Sequence, residues 1–238
     1  IGIKLTSGAE VRSDLVITNA DSEITYNRLI KSNVTKANKE RRKLRKASKS
    51  LAGFSLLLGL DNSKGHPVEL EHHNVFFPDD YDAEFDQIFD QKVPVSDPTI
   101  YVCAPKDANM VKGENKEAWF VLVNAPRHDP KNGWDWSATG EQYAQQIINK
   151  LDDLGLNVSK RLDLMKYRTP LDLENYAMAP GGSIYGTSSN SARSAFLRAS
   201  NRSKIKNLYC VGGSAHPGGG LPLVGISADI VAEIIGKA

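Results

Sequence analysis

The sequence has no long hydrophobic run and very few cysteines. No stretch approaches the roughly 18 to 20 apolar residues that a membrane-spanning helix needs, and the first residues lack the charged-then-apolar pattern of a signal peptide. The two cysteines, Cys103 and Cys210, are far apart and each lies in an apolar, strand-like run. This placement favours buried free thiols and a reducing compartment. We therefore expect a protein that is soluble or at most peripheral to a membrane.

An excess of charge of either sign is also lacking, with one local exception. The 30 Lys and Arg residues nearly balance the 28 Asp and Glu residues, for a formal net charge of +2, so the molecule as a whole does not attract nucleic acid or anionic lipid. Nine Lys or Arg residues are nevertheless concentrated between Lys31 and Lys49, with Glu40 as the single acid. This segment predicts a basic surface helix that either faces solvent or docks on anionic headgroups. No aromatic residues interleave with its charges, which disfavours nucleic acid.

Hydrophobic patterning predicts a mixed α/β protein, and 238 residues suffice for one large domain or two smaller ones. Residues Ile1 to Leu5 and Leu15 to Thr18 are expected to form a hairpin. The apolar run Leu51 to Leu60 is typical of a central strand covered on both faces. Two β-branched and aromatic runs, 99–105 and 118–126, are expected to pair antiparallel.

Two helices are predicted from apolar spacing. Thr139 is expected to cap a helix that runs to about Leu154, with Gly155 as its stop signal. A final helix is predicted from Leu223 to Ile235. Its inward-facing residues are expected to be Ile226, Ile230, Val231 and Ile234.

A cluster of glycines separates a short strand, Leu208 to Val211, from the final helix. Its members are Gly212, Gly213, Gly218, Gly219 and Gly220. A strand, a glycine-rich turn and a helix N-terminus can together bind an anion or a flavin carbonyl, because unpaired N–H groups and the positive end of the helix dipole coincide there. The spacing differs from the dinucleotide fingerprint Gly-x-Gly-x-x-Gly. From the residues alone, a ligand-facing loop and a tight structural turn both remain open.

The segment NLYCVGGSAHPGGGLPLVGISADIVAEII resembles the C-terminal signature of the phytoene desaturase family, the FAD-dependent carotenoid desaturases. Further resemblance lies in SGAEVRSDLVITNAD, LEHHNVFFPDDYDAEFDQIF, DPTIYVCAP and GGSIYGTSSNSARSAFLRASNRSKIKNLY. The chain begins at Ile1 without a methionine, and it lacks the family's first flavin-binding turn. The resemblance thus implies the C-terminal half of a two-domain flavoprotein: a mostly antiparallel substrate-domain sheet with flanking helices, plus the closing strand and helix of a Rossmann-like FAD domain.

The resemblance also implies an organisation and an activity. Residues 1–22 would return to the FAD domain, residues 23–180 would form the substrate-binding domain, and residues 181–238 would close the FAD domain. The expected reaction is oxidation of C–C single bonds of an acyclic or hydroxylated carotenoid by hydride transfer to FAD. A polyene oxidase or saturase, and a non-catalytic module that binds apolar ligands or membranes, are the alternatives. The expected location is cytoplasmic, on the inner face of the cell membrane.

The resemblance implies site residues as well. Those expected to bind the cofactor are Gly212, Gly213, Gly219, Gly220, Leu221, Pro222, Leu223 and Val224. His73, Arg127 and His216 are the expected substrate-binding residues. Arg127 is chosen because it ends a buried strand, where a surface turn is the alternative, and His216 either acts at the site or bonds to backbone. No side chain is assigned as catalytic because the flavin accepts the hydride. The family commonly has Ile-Pro-Gly-Val where this chain has Leu221 to Val224, so Leu223 narrows the space beside the flavin. No metal is expected, because adjacent His72 and His73 would point to opposite faces of a strand.

Overall fold

The computed structural model describes residues 2–107, 109–111, 113–188 and 198–236. Contacts between residues divide the chain into two units: a middle unit, residues 51–175, and a terminal unit built from residues 1–50 and 176–238. No helix in these described ranges combines the length and the apolar character needed to cross a membrane.

Strands and helices alternate along the chain. The described strands are β1 (Gly2–Lys4), β2 (Glu10–Arg12), β3 (Val16–Thr18), β4 (Ala52–Asp61), β5 (His73–Phe76), β6 (Ile100–Cys103), β7 (Lys116–Ala125), β8 (Leu162–Arg168) and β9 (Leu208–Cys210). The described α-helices are α1 (Ser22–Ile24), α2 (Asn38–Lys46), α3 (Tyr81–Phe85), α4 (Gly140–Asp153), α5 (Val158–Arg161), α6 (Pro170–Ala177) and α7 (Leu221–Ile235). Helices α1 and α3 continue as π-helical segments over Thr25–Leu29 and Asp86–Gln91.

The middle unit is a five-stranded antiparallel sheet in the order β5-β6-β7-β4-β8. Strands β4 and β7 pair over their full length, from Ala52 opposite Ala125 to Asp61 opposite Lys116. The predicted antiparallel pairing of β6 with β7 is confirmed. So is the inner position of β4, which has a neighbour on each edge.

One face of this sheet packs on α4 to form the main core. Alternate residues of each strand contribute to it, because successive side chains point to opposite faces. The buried members from β4, β7 and α4 are Phe54, Leu56, Leu58, Leu60, Trp119, Val121, Val123, Ala125, Tyr143, Ala144, Ile147, Ile148 and Leu151. Helix α4 therefore matches the prediction, with Thr139 as its N-cap residue, although the Thr139 side chain makes no capping hydrogen bond. Its hydroxyl instead accepts a hydrogen bond from Trp134 Nε1 and donates to the Asp135 carbonyl.

The opposite face of the sheet corrects one expectation. The apolar run of β4 predicted a strand covered on both faces, yet Leu57 at its centre is 46% exposed. Its neighbour across the sheet, Phe120, is also exposed. The run is continuous because small or apolar residues also occupy the open face, so sequence alone does not distinguish an open apolar face from a second buried one.

The terminal unit contains a short parallel pair, β3 with β9, in which Val16 lies opposite Leu208 and Thr18 opposite Cys210. The predicted hairpin is therefore wrong in its pairing. Strand β1 pairs with β2 around a turn at Gly8, and the run that contains Val16 to Thr18 takes a distant partner instead. Residues 23–50 belong to this unit through Tyr26, Ala37 and Leu44, which pack on Ala199, Cys210 and Ala215. The flavin and substrate segments expected at 1–22, 23–180 and 181–238 stay predictions.

The final helix, α7, is less buried than its sequence indicates. Pro222 lies in its first turn, where its missing N–H is tolerated. Only Ser227 and Val231 are buried, whereas Ile226 and Ile234, which were expected to face inward, are 47% and 39% exposed. Helical spacing identifies an apolar face, but α7 is apolar on nearly every side, so the spacing does not identify the buried one.

Candidate functional site

The candidate cofactor site lies where the parallel strands of the terminal unit end. Asn19 follows β3 and the glycine loop, residues 212–220, follows β9, so both emerge at the same edge of the parallel pair. In parallel α/β arrangements this carboxyl edge is where ligands bind. The loop then leads directly into α7, whose N-terminus has no side-chain cap.

The side chain of Asn201 holds the glycine loop in place through hydrogen bonds. Its buried side-chain amide donates hydrogen bonds to the carbonyls of Cys210 and His216, at 3.1 and 2.8 Å, and to the hydroxyl of Ser227 at 2.9 Å. The Ser227 hydroxyl in turn accepts from the Gly212 N–H at 3.3 Å. Sequence reasoning missed this clamp. The sequence signal that could have revealed it was Ser227, a polar residue between the apolar residues Ile226 and Ala228 of the predicted final helix.

The side chains of Arg198 and Ser214 also connect the loop to other segments. Arg198 is buried, and its guanidinium donates to the carbonyls of Tyr185 and Gly213 at 2.7 and 2.8 Å. Burial lowers the pKa of Arg198. The hydroxyl of Ser214 accepts a 2.8 Å hydrogen bond from the backbone N–H of Ser22, at the start of α1. The loop is therefore held by directional bonds, in addition to the packing of Ala215 in the small apolar cluster.

The glycines of the loop have different structural roles. Gly212 has φ +95°, and a Cβ there would lie 2.2 Å from Asn19 Oδ1, so the chain itself requires this glycine. A Cβ on Gly219 would collide with the ring of Tyr185, so this glycine too is explained internally. Gly220 is different: it has φ +94°, and nothing lies within 4 Å of a Cβ built there. The loop is thus a tight turn at Gly212 and Gly219 and an open surface at Gly220.

The open surface at Gly220 suits a flat aromatic ligand with polar edges. The backbone N–H groups of the first turn of α7 are available as donors, because no side chain caps them. Leu221 and Leu223 flank them and are 88% and 39% exposed. Hydrogen-bond donors beside exposed apolar side chains match the polar edge and apolar rings of an isoalloxazine, so the donor set fits a flavin.

The three predicted substrate residues are dispersed. His73 begins β5 and is exposed, with its Nδ1 at 2.8 Å from the hydroxyl of Tyr101. Arg127 is half-buried and follows the C-terminal end of β7. His73 lies next to a different part of β7, because His73 pairs with Cys103 and Cys103 pairs with Phe120. Arg127 is seven positions after Phe120, five of them within β7, and an extended backbone of this length spans roughly 20 Å. His216 lies in the terminal unit, where its backbone binds Ala199 and Asn201.

The open face of the middle-unit sheet carries apolar side chains on β4, β5, β6 and β7, whereas Ser55 of β4 and Lys166 and Arg168 of β8 make its other edge polar. One row across it runs through Cys103, Phe120 and Leu57, each opposite the next. A second row runs through Val75, Tyr101 and Leu122. Beyond them, Leu164 of β8 is 53% exposed. Strands β4, β6 and β7 therefore contribute to both the core and this face, because successive side chains of a strand point to opposite sides.

His72 and His73 do not point to opposite faces, contrary to the sequence argument. Strand β5 begins only at His73, so alternation does not govern His72. The two imidazole rings are 4.4 Å apart between centroids, and one ligand atom from each histidine and the Cys103 sulfur all lie within 4.8 Å of one another. The reason given for excluding a metal is therefore wrong.

Comparison with known proteins identifies relatives along nearly the whole chain, although no protein-family model matches it. The chain is 37% identical over 238 residues to a zeta-carotene-forming phytoene desaturase of Myxococcus xanthus and 34% identical over 226 residues to a 1-hydroxycarotenoid 3,4-desaturase of a Flavobacterium species. It is 31% identical over 239 residues to a 4,4'-diapolycopene oxygenase of a Methylomonas species. These alignments cover 94–98% of this chain and 44–46% of each relative. The chain thus spans about half the length of these relatives.

A solved structure supports the fold. An oxidoreductase from Methanosarcina mazei matches 98% of this chain and 45% of its own, with a TM-score of 0.57 and 17% sequence identity. The chain is a homologue of carotenoid-modifying proteins, a class that includes desaturases and oxygenases. Within that class, the predicted resemblance to the carotenoid desaturases of the phytoene desaturase family is confirmed.

Proposed function

We propose that the protein containing this chain is an FAD-dependent carotenoid desaturase that oxidises C–C single bonds of an acyclic or hydroxylated carotenoid to double bonds. The observation that carries this proposal is the similarity to named carotenoid desaturases over 94–98% of the chain. A sister oxidation on the same scaffold is the second candidate, favoured by the 31% identity to a diapolycopene oxygenase.

The terminal unit would hold the flavin at the start of α7. The exposed turn at Gly220 and Leu221 would donate backbone N–H groups to the polar edge of the isoalloxazine, while Leu223 would pack on its ring. FAD would supply the hydride acceptor, which no amino acid side chain provides. The part of Asn201 is to hold the loop rigid, so that these donors keep their direction.

The middle unit would offer its open apolar face to the polyene. Exposed apolar area of this kind, spread over neighbouring strands, is typical of a surface that binds an apolar partner. Gly53 and Gly59 lie on the open face of β4, and because they have no side chains, nothing projects from the sheet at these two positions. His73 and Arg127 remain candidates for contact with a polar end of the substrate. Their separation along the sheet suits a long, rod-shaped ligand better than a compact one.

The complete gene product tests this proposal directly. The purified protein is expected to be yellow, to release FAD on denaturation, and to convert phytoene or a 1-hydroxylated acyclic carotenoid in liposomes to a product absorbing at longer wavelength. Chromatography with mass spectrometry should show the loss of two hydrogens per step. Gain of oxygen would favour the oxidase. Colourless protein that binds liposomes without turnover would favour a non-catalytic module.

Paired variants separate the two proposed surfaces. Phe120→Asp on the open face is expected to lower turnover at least tenfold with flavin retained, whereas Phe77→Asp, which is 67% exposed elsewhere in the same unit, should not. Gly220→Val is expected to reduce bound flavin, because the side chain would fill the open space beside the α7 donors. Equal flavin content in wild type and Gly220→Val would contradict this placement.

We further propose that α2 docks the protein on an anionic, cytoplasmic membrane surface. Three of the nine basic residues of this segment are engaged within the protein: Arg41 with backbone carbonyls, Lys43 with Glu40, and Lys49 with Glu23. The exposed remainder are Lys31, Lys36, Lys39, Arg42, Arg45 and Lys46. Of these, Lys39, Arg42 and Lys46 share one face of α2, because they are three and four residues apart.

Liposome binding tests this docking. Lys39→Glu, Arg42→Glu and Lys46→Glu combined are expected to abolish binding to vesicles of phosphatidylglycerol and phosphatidylcholine, since each cation contributes on the order of 1 kcal/mol. Lys131→Glu, Lys204→Glu and Lys206→Glu combined make the same change in net charge at other exposed positions. Equal losses in both triple variants would indicate a general charge effect and contradict docking through α2.

A further inference from the structure

The open end of the β5–β6 pair brings together three side chains with metal-ligating atoms. His73, the first residue of β5, lies directly opposite Cys103, the last residue of β6. His72 precedes the strand, and its carbonyl accepts a 2.9 Å hydrogen bond from the N–H of Ala104, the residue that follows β6. The backbone therefore fixes the relative positions of all three residues.

We propose that His72, His73 and Cys103 form a binding site for a borderline-soft divalent cation of the Zn²⁺ type. Two imidazoles and a thiolate are a ligand set that such cations prefer. Ligand atoms around a tetrahedral Zn²⁺ lie about 3.3 to 3.8 Å apart, given bond lengths of about 2.0 to 2.3 Å. In this structure one ligand atom of each residue lies within 4.8 Å of the others. The ligand atoms are therefore close to the separations that a tetrahedral ion requires, and side-chain rotation is the movement expected to bring them closer.

Tyr101 supplies the outer contact that a metal-binding histidine requires. Its hydroxyl lies 2.8 Å from Nδ1 of His73, which leaves Nε2 as the nitrogen that binds the ion. The rings of His73 and Tyr101 are also stacked, with centroids 6.0 Å apart. The imidazole is therefore oriented before any cation arrives, which reduces the entropy lost on binding.

The site has three protein ligands and an accessible fourth position. Both histidines are exposed and Cys103 is partly exposed, so water or a ligand oxygen can complete the coordination. Sites of this form hold exchangeable ligands, in contrast to closed structural sites with four protein ligands. The inference stands on these contacts alone and does not depend on the proposed desaturase activity.

Cobalt substitution in the complete, tag-free gene product tests the site. After treatment with a chelator, addition of Co²⁺ is expected to produce visible d–d bands of a tetrahedral ion and a near-ultraviolet thiolate-to-metal band. Cys103→Ser should remove the thiolate band, and His72→Gln or His73→Gln should weaken affinity for Co²⁺ at least tenfold. His66→Gln, a histidine outside the cluster, is the matched control and should bind as the wild type does. Absence of the thiolate band in wild type, or its persistence in Cys103→Ser, would overturn the proposal.

Thiol alkylation gives a second readout that needs no variant. This chain has two cysteines, and Cys210 is buried, with its pKa raised to about 11 by burial. Alkylation in the folded protein is therefore followed by mass spectrometry of the peptide that contains Cys103, which reports on that thiol alone. Stoichiometric Zn²⁺ is expected to slow alkylation at least tenfold, and a chelator should restore the rate. An unchanged rate with Zn²⁺ present would contradict the site even if the variants failed to fold.

Discussion

The middle unit and the terminal unit are held together by different forces. In the middle unit, strands β4 and β7 and helix α4 enclose a large apolar cluster that includes Phe54 and Trp119. In the terminal unit the buried apolar cluster is small, and polar side chains bound to backbone carbonyls connect its segments. Arg41 alone donates to the carbonyls of Tyr26, Ile30, Lys31, Ser32 and Val34.

This difference matches the roles proposed for the two units. Apolar burial is non-directional and supplies most of the folding free energy, so it suits a sheet that presents a broad face. Hydrogen bonds from buried side chains are directional and fix loop positions, which suits a glycine loop that must keep its amides oriented. Perturbing one unit should therefore leave local stability in the other largely unchanged, and three predictions test this.

The largest effect is expected from Phe54→Ala in the middle unit. Phe54 is fully buried and its ring contacts Trp136, Tyr143 and Tyr167. Its truncation should lower the free energy of unfolding of this unit by about 4 kcal/mol, through lost burial and a cavity. Hydrogen exchange of peptides from β4 and β7 measures the change. Phe77→Ala removes an exposed ring and should stay within about 0.5 kcal/mol. Similar losses in both variants would contradict the assignment of the core.

A smaller effect is expected from Asn201→Ala in the terminal unit. The change leaves the buried carbonyl of Cys210 and that of His216 without their donor, which should cost about 3 kcal/mol locally. Amide exchange should accelerate in residues 208–220 and stay unchanged in β4. Asn149→Ala, on the exposed side of α4, is the control. Acceleration confined to β4 would show that the clamp does not hold the loop.

The smallest effect is an alkaline loss of stability in the terminal unit. Burial raises the pKa of Cys210 from 9.0 to about 11, so the folded state retains a proton that the unfolded chain loses. Stability is then fully present below pH 9 and decreases as the pH rises towards 11. Between pH 9 and 10 the decrease should be about 1 kcal/mol. Exchange rates in residues 208–220 measure it, and Cys210→Ala should remove most of the pH slope, because burial also raises the pKa of Tyr26 and leaves a smaller slope behind. An undiminished slope in Cys210→Ala would contradict this cause.

The sequence predicted the middle unit better than the terminal unit, for physical reasons. Strands β4, β6 and β7 form from runs whose composition favours strands, and α4 has clear helical spacing. The parallel pair β3–β9 joins residues about 190 positions apart, which no local pattern indicates. The hairpin prediction failed because it assumed a neighbouring partner.

The candidate site was only partly predictable. The glycine loop and Pro222 were recognisable from composition, and the resemblance located the start of α7. The roles of individual glycines were not, because Asn19 and Tyr185 approach them from elsewhere in the chain. Asn201 and Ser227 were missed for the same reason. The His72 prediction failed because it assumed that the strand begins one residue earlier than it does.

The order of the segments has a consequence for how such chains diversify. Residues 51–175 form one compact body inserted between two stretches that fold with each other, and Ser50 and Gly186 are already bonded across that junction. Recombination at the two borders of this body would therefore exchange a whole sheet. Both flanking stretches would retain their contacts with each other. Such an exchange would leave the loop at Gly220 and its bonds to Arg198 and Asn201 unchanged.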